Sequence, residues 1–218
     1  MPGIHVVGLP GILGAEVIAM KDALTVFSLD LAYLRSGYAV IRQPGDEVLK
    51  YGVIKAEPYR AKVTELVRMK RSKSAFDGLR LALYYADEDH GPLDALVYEE
   101  PQWVGAALRR GQMSKASVLA LGMALERLYL VLAAVGWMRT EPKTGHNKVR
   151  PVYSIDPARW QPLFTGTQRL PAGQMKPLVR RYVKMRTGIA LTEAEHDAAD
   201  AIAIGIVASK LLQIEGTI

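Results

Sequence analysis

The stretch VFSLDLAYLRSGYAVI, residues 26–41, decides how this chain folds. With the two residues before it, its first half is a run of large and β-branched side chains that reads as a strand over 24–30, and GYAVIRQ over 37–43 reads as a second. Asp30 closes the first strand. A carboxylate at the end of an apolar strand is costly unless something pairs with it, so its position calls for a partner or a chemical role. A third strand, VLKYGVIKA over 48–56, follows the turn signal PGDE at 44–47, and three strands in such short order imply an antiparallel meander.

Outward from there the pattern turns helical over about 58–89. Val63, Leu66 and Val67 are spaced for one face, and Arg60, Lys62, Arg68, Lys70, Arg71 and Lys73 crowd the others. LDALVYE, 93–99, is a short apolar run between Gly91-Pro92 and Pro101; it suits a central strand covered on both faces and parallel to its predecessor. A loop over 101–114 carries Trp103, Arg109 and Arg110, with Lys115 just beyond, and precedes an apolar helix to about Trp137. The basic, turn-rich segment 139–151 leads to a strand VYSI at 152–155, and two helices, about 173–186 and 192–213, complete the chain. The order predicts one α/β domain over 23–218: a mixed five-stranded sheet, three antiparallel strands and then parallel ones, flanked by helices. No internal repeat or low-complexity tract interrupts it.

Residues 1–22 form an apolar, glycine-rich extension, with Met20 as an alternative start. No Lys-Ser/Thr follows GLPGILG, as a phosphate loop requires, and no basic n-region makes the extension a secretory signal. A cytoplasmic protein is expected. The 218 residues carry a formal charge of +6, which favours an anionic partner such as nucleic acid or a membrane surface without choosing between them. The absence of cysteine removes disulfides, thiolate zinc sites and thiol nucleophiles, so any metal must sit on oxygen or imidazole. The most apolar segment, 118–135, approaches membrane-span length, but Glu126 and Arg127 at its centre argue for a buried or subunit-interface helix and against a membrane.

The last helix reads LTEAEHDAADAIAIGIVASKLL, with Thr192 and Glu195 spaced as a capping box. Asp197 and Asp200, three apart, share one helical face in an otherwise small and apolar run. Two such carboxylates repel each other and are tolerated chiefly when a cation neutralises them. Asp30 ends the first strand and Glu99 and Glu100 end the fourth. If those strands are neighbours, their acids meet beneath the start of the last helix in an oxygen-rich cluster suited to hard divalent cations. Taken singly, Asp197 would only compensate a helix dipole and Asp30 would only be a turn residue.

These residues carry a family resemblance. DLAYLRSGYAVI resembles the first motif of the RuvC-type Holliday junction resolvases of the RNase H-like superfamily, with Asp30, Ser36, Gly37 and Tyr38 in register. LVYEEP resembles the second motif, a strand ending in the catalytic Glu, here Glu99. HDAADAIAIGI is similar to the last, mapping its acids to Asp197 and Asp200. The chain departs from the family at Leu31-Ala32, where Pro-Gly is common. Glu99 and Glu100 point to opposite faces of a strand, so only one can be a ligand, and motif register selects Glu99.

The resemblance implies phosphodiester hydrolysis with two Mg²⁺ ions, Mn²⁺ substituting, held by Asp30, Glu99, Asp197 and Asp200, and 5′-phosphate and 3′-hydroxyl products. His196 is a ligand, a general acid or a surface residue. Trp103 is either a wedge stacking on a base at the junction or a side chain packed under its loop. Arg109, Arg110, Lys115, Lys176, Arg180 and Arg181 are candidate DNA contacts, although runs of charge commonly just face solvent. Trp160 reads as core. Paired cuts across a near two-fold junction call for a homodimer, and branched DNA in a bacterial or phage-infected cell is the expected partner.

Another RNase H-like nuclease, acting on RNA–DNA hybrids or flaps, would use the same acids. A sugar kinase or actin-like ATPase shares the opening strand-Asp-turn-strand but needs glycine-rich phosphate loops that residues 93–105 do not offer. A catalytically silent junction-binding protein predicts loss of an acid, and all four are present.

Overall fold

Period-two alternation along the first strand divides the core in two. The computed structural model describes residues 23–56, 65–100, 115–137, 150–167 and 173–215. Its strands are β1 (Leu24–Asp30), β2 (Arg35–Gln43), β3 (Glu47–Lys55), β4 (Ala95–Glu99) and β5 (Val152–Ile155). They form one sheet in the order β3-β2-β1-β4-β5. β1 and β3 run antiparallel to β2, while β4 runs parallel to β1 and β5 parallel to β4. This is the expected mixed sheet.

The helices are α1 (Glu65–His90), α2 (Lys115–Ala134), α3 (Pro157–Thr165), α4 (Met175–Thr187) and α5 (His196–Glu215), the last entered through a 3₁₀ turn at Glu193–Glu195. Leu24 and Val26 of β1, with Ala95 and Val97 of β4, pack against Trp160 and Phe164 of α3, Val179 and Val183 of α4, and Ile202 and Ile206 of α5. Phe27 and Leu29, with Leu96 and Tyr98, face the other way onto Leu79 and Leu83 of α1 and Leu128 and Leu132 of α2. Each fully buried side chain of this size contributes about 1.5–3 kcal/mol. Cover on both faces explains why β4 is apolar without alternation.

α5 is apolar all round because the sheet lies beneath it and α3 and α4 lie against it. Its small residues let it come close. The buried Ser28 hydroxyl donates to the Ala201 carbonyl at 2.8 Å, and a Cβ on Gly205 would stand 2.5 Å from Ile41 Cγ1 and 2.6 Å from Ser28 Oγ. At the far end of the helix, Lys210 Nζ pairs with Asp46 Oδ2 at 2.6 Å in the β2–β3 turn. Gln43 Nε2 there donates to Asp46 Oδ1 at 2.6 Å and to Ser209 Oγ at 3.2 Å.

β3 and the last two helices shift by one to four residues from the sequence reading, and the differences at β2 and α3 have a physical reason. β2 begins at Arg35 rather than Gly37, because Arg35 and Ser36 still pair with Lys55 and Ile54. β4 begins at Ala95 rather than 93. α3 was not expected at all: Asp156 caps it, accepting from the Ala158 N–H at 2.7 Å, Pro157 takes its first turn, where a missing N–H costs nothing, and Gly166 closes it with φ 72°. Pro162 inside the segment masks this start and stop pattern. The extension 1–22 and residues 58–64 of the expected first helix lie outside the described residues. Among the described residues no helix is long and apolar enough to cross a membrane. In α2, Arg127 is buried, donating to the Tyr33 carbonyl at 3.1 Å with its guanidinium over the Tyr33 ring.

Candidate active site

Asp30 follows Ser28 by two residues and therefore faces α5, as Glu99 does two residues after Val97 on the adjacent parallel strand. Glu100 follows the parity of Leu96 and Tyr98, towards the α1 and α2 side. The indole Nε1–H of buried Trp160 donates to Glu99 Oε2 at 2.9 Å. Asp200, in the second turn of α5, lies within electrostatic reach of Glu99 and Asp30, so carboxylates from three separate elements face one another.

Their fields reach one another. Burial, then the charges of Glu99, Asp200 and Asp197, push the Asp30 carboxyl well above the usual carboxylate range, with Lys176 opposing. Burial pushes Glu99 up to about 7; Asp156 adds to this, while the Trp160 N–H and Lys176 work against it. Asp200 is pushed up to about 7, first by burial and then by Glu99 and Asp197, against Lys176 and Arg180. Among the described residues neither Asp30 nor Asp200 has a hydrogen bond or ion pair, so no direct contact answers the charge of their ionised forms.

Asp197 is placed differently. Its Oδ2 is paired with Arg35 Nε, and Arg35 also donates through Nη2 to the Ala194 carbonyl. His196 Nε2 lies 2.9 Å from Asp197 Oδ1, and its Nδ1 lies 3.0 Å from the Glu193 carbonyl. The Thr192–Glu195 capping box is formed as expected. Asp197 is thus flanked by Arg35 on one oxygen and His196 on the other, and both nitrogens of His196 are turned to oxygens of its own helix start.

The turn between β1 and β2 accounts for the departure at Leu31-Ala32. Leu31 is buried in the α1/α2 core, and the Ser36 hydroxyl closes the turn by donating to the Ala32 carbonyl at 2.9 Å and accepting from its N–H at 3.0 Å. Gly37 leaves room for α5: a Cβ there would stand 1.8 Å from the Asp197 carbonyl oxygen.

Of the basic candidates, Lys176 is exposed at the start of α4, Arg180 is half-buried one turn on, and Arg181 is exposed. Lys115 opens α2, and Trp103, Arg109 and Arg110 lie outside the described residues, as does the side chain of Lys115. Sequence reasoning did not single out Arg35 or the hydrogen bond from Trp160, for which the Asp156-Pro157 cap was the available signal.

No family model matches the sequence, and no curated protein matches it. Solved structures do. Thermus thermophilus RuvC in complex with a Holliday junction substrate aligns with a TM-score of 0.60 at 16% identity, over 88% of this chain and 97% of that one. A second Thermus thermophilus RuvC structure aligns with a TM-score of 0.58 at 16% identity, over 88% and 98%. The fold is that of RuvC. At this identity the likeness is one of fold, and it covers the RuvC chain nearly end to end. On this RuvC-like frame, β1, β4 and α5 bring Asp30, Glu99 and Asp200 together.

Among the described residues no three His, Asp or Glu side chains close around a point that would hold a metal ion. In chemistry the set nevertheless fits a hard divalent cation. All donors are carboxylate oxygens, and two of the three converging acids lack any neutralising contact among the described residues.

Proposed function

We propose that this chain is a divalent-metal-dependent endonuclease that resolves four-way DNA junctions by phosphodiester hydrolysis, leaving 5′-phosphate and 3′-hydroxyl ends. One observation carries the reading: Asp30, Glu99 and Asp200, from β1, β4 and α5, lie within one another's electrostatic reach on the RuvC fold, and two of them have no hydrogen-bond or ion-pair partner among the described residues. The Holliday junction bound to Thermus thermophilus RuvC supports the substrate class.

Asp30, Glu99 and Asp200 would hold Mg²⁺, or Mn²⁺ in its place, and Asp197 would join them once released by Arg35 and His196. Two bound ions supply water activation at neutral pH and charge neutralisation at the leaving 3′ oxygen. The chain itself does the rest. β1 and β4 are neighbours in one sheet and α5 lies on that sheet, so the three acids stand on rigid elements. Glu99 and Asp200, each with a carboxyl near 7, stand ready to exchange protons for metal in the neutral range. Lys176 and Arg180, whose fields reach the acids, set a positive approach for the scissile phosphate, and Arg181 extends it along α4. Trp103, Arg109, Arg110 and Lys115 belong to the segment assigned to junction contact. Paired cuts call for a homodimer, in the cytoplasm of a bacterial or phage-infected cell.

The test is incubation with synthetic four-way, flap and RNA–DNA hybrid substrates, with Mg²⁺, with Mn²⁺ and with EDTA, beside Asp30→Asn. Junction cutting that requires the metal and vanishes in the variant is expected. Equal cutting by the variant overturns the site, and cutting of hybrids or flaps but not junctions moves the chain to another RNase H-like nuclease activity.

A further inference from the structure

Glu99 is the one acid of the converging three that is tied to a neighbour. Trp160 is only 1% exposed, and its N–H lies 2.9 Å from Glu99 Oε2. An indole has one donor and no acceptor, so a buried Trp fixes whatever oxygen it finds. The element bearing it is built to stay in place. β5 pairs in parallel with β4 up to Glu99↔Ile155, the Glu100 N–H donates to the Ile155 carbonyl, and α3 starts at once under the Asp156 cap with Pro157 at its first position. Trp160 then reaches back beneath the end of the strand it has just paired with. Among the described residues Glu99 Oε1 has no hydrogen-bond partner.

We infer that Trp160 is a positioning residue that makes Glu99 a one-oxygen ligand, so that the site prefers Mg²⁺ and Mn²⁺ over Ca²⁺. The inference rests on the metal site proposed above. The smaller ions take six ligands in a near-ideal octahedron and accept one oxygen per carboxylate. Ca²⁺ takes six to eight oxygens and commonly draws both from one carboxylate. A donor on Oε2 takes one of that oxygen's two lone-pair sites and fixes the carboxylate's orientation, which disfavours a second bond to the same ion, and partners behind a metal ligand commonly set affinity by about 10- to 100-fold.

Binding of Mn²⁺ and of Ca²⁺ is measured by calorimetry, without DNA, for the unaltered protein and for Trp160→Phe, which keeps a ring in the core and removes the N–H. The Mn²⁺-to-Ca²⁺ affinity ratio is expected to fall about tenfold in the variant, and adding the change to Glu99→Gln is expected to leave the ratio where Glu99→Gln alone puts it. An unchanged ratio in folded Trp160→Phe, while the unaltered protein binds Mn²⁺ selectively, overturns this inference alone. No binding of either ion to the unaltered protein overturns the metal site and the inference with it. Should Trp160→Phe fail to fold, the indole N–H resonance of Trp160 in the unaltered protein decides. A resonance that stays downfield on saturation with Mg²⁺ supports the locked oxygen, and one that loses its hydrogen-bonded shift overturns it.

Discussion

Gly37 of β2 lies against the backbone of Asp197 so closely that a Cβ built on it would stand 1.8 Å from the carbonyl oxygen and 2.8 Å from the Ala198 nitrogen. The obstacle is helix backbone, which cannot rotate aside as a side chain can. Gly37→Ala is therefore expected to lose about 1–3 kcal/mol of stability or more by overpacking. It should also lift the start of α5 off the sheet, so that junction cleavage falls further than the folded fraction does. Urea unfolding and single-turnover cleavage on the same preparation check this.

The raised carboxyls give stability a definite dependence on pH. The ordinary values are 4.5 for Glu99 and 3.8 for Asp200, and both rise to about 7 in the folded chain. Between those limits the folded state holds more protons than the unfolded one, so these groups make stability fall as pH rises from about 4 to about 7, and the loss is complete above that. Asp30 acts in the same direction. A bound divalent cation favours the ionised forms, so Mg²⁺ should raise Tm more at about pH 8 than at about pH 5. Thermal melts across this range, with and without Mg²⁺, read both effects, and Asp200→Asn should flatten both.

Arg35 is expected to matter through Asp197. The Asp197 side chain is only 10% exposed, whereas that of Arg35 is 32% exposed, so removing the cation strands a buried charge more than it forfeits a strong pair. Arg35→Gln should cost about 1–3 kcal/mol, discounted towards the lower end for the solvent around Arg35. Asp197→Asn in the same chain should restore most of the loss. A double-mutant cycle by chemical denaturation supplies the coupling energy.

Lys176 and Arg180 should contribute to DNA affinity without supporting the fold, since Lys176 is exposed and Arg180 half-buried on α4. Each change to Ala is expected to weaken junction binding and to lower the slope of log affinity against log salt by about one. Binding titrations at several salt concentrations in an Asp30→Asn background, where no cutting is expected, measure the slope.

The sheet and the three converging acids were legible from simple periodicities and the motif register together. The ends of neighbouring strands brought Asp30 and the Glu99-Glu100 pair to one place, alternation let only one of that pair face inward, and the motif register selected Glu99. Spacing along α5 put Asp200 beside Asp197, but spacing is silent about what answers a charge. Arg35 and His196 hold Asp197 through contacts that depend on how close the helix start sits to β2, a distance set by Gly37 and the close-lying α5. The departure at Leu31-Ala32 was opaque for a similar reason: the Ser36 hydroxyl does by hydrogen bonding what a turn-forming sequence would do by backbone preference. α3 was hidden by Pro162, and with it the donor to Glu99.

The contacts at the β2–β3 turn bear on the site from a distance. Lys210, paired there with Asp46, lies ten residues beyond Asp200, about 15 Å along the helix axis. One hairpin thus grips α5 at both ends, through Gly37 at the start and Asp46 near the finish. A screw motion of one residue would swing Asp200 by about 100° and carry it out of the acidic cluster. The hairpin therefore serves as a gauge block that sets the helix's axial phase, and resizing that remote turn would retune the spacing of the acids with none of them changed.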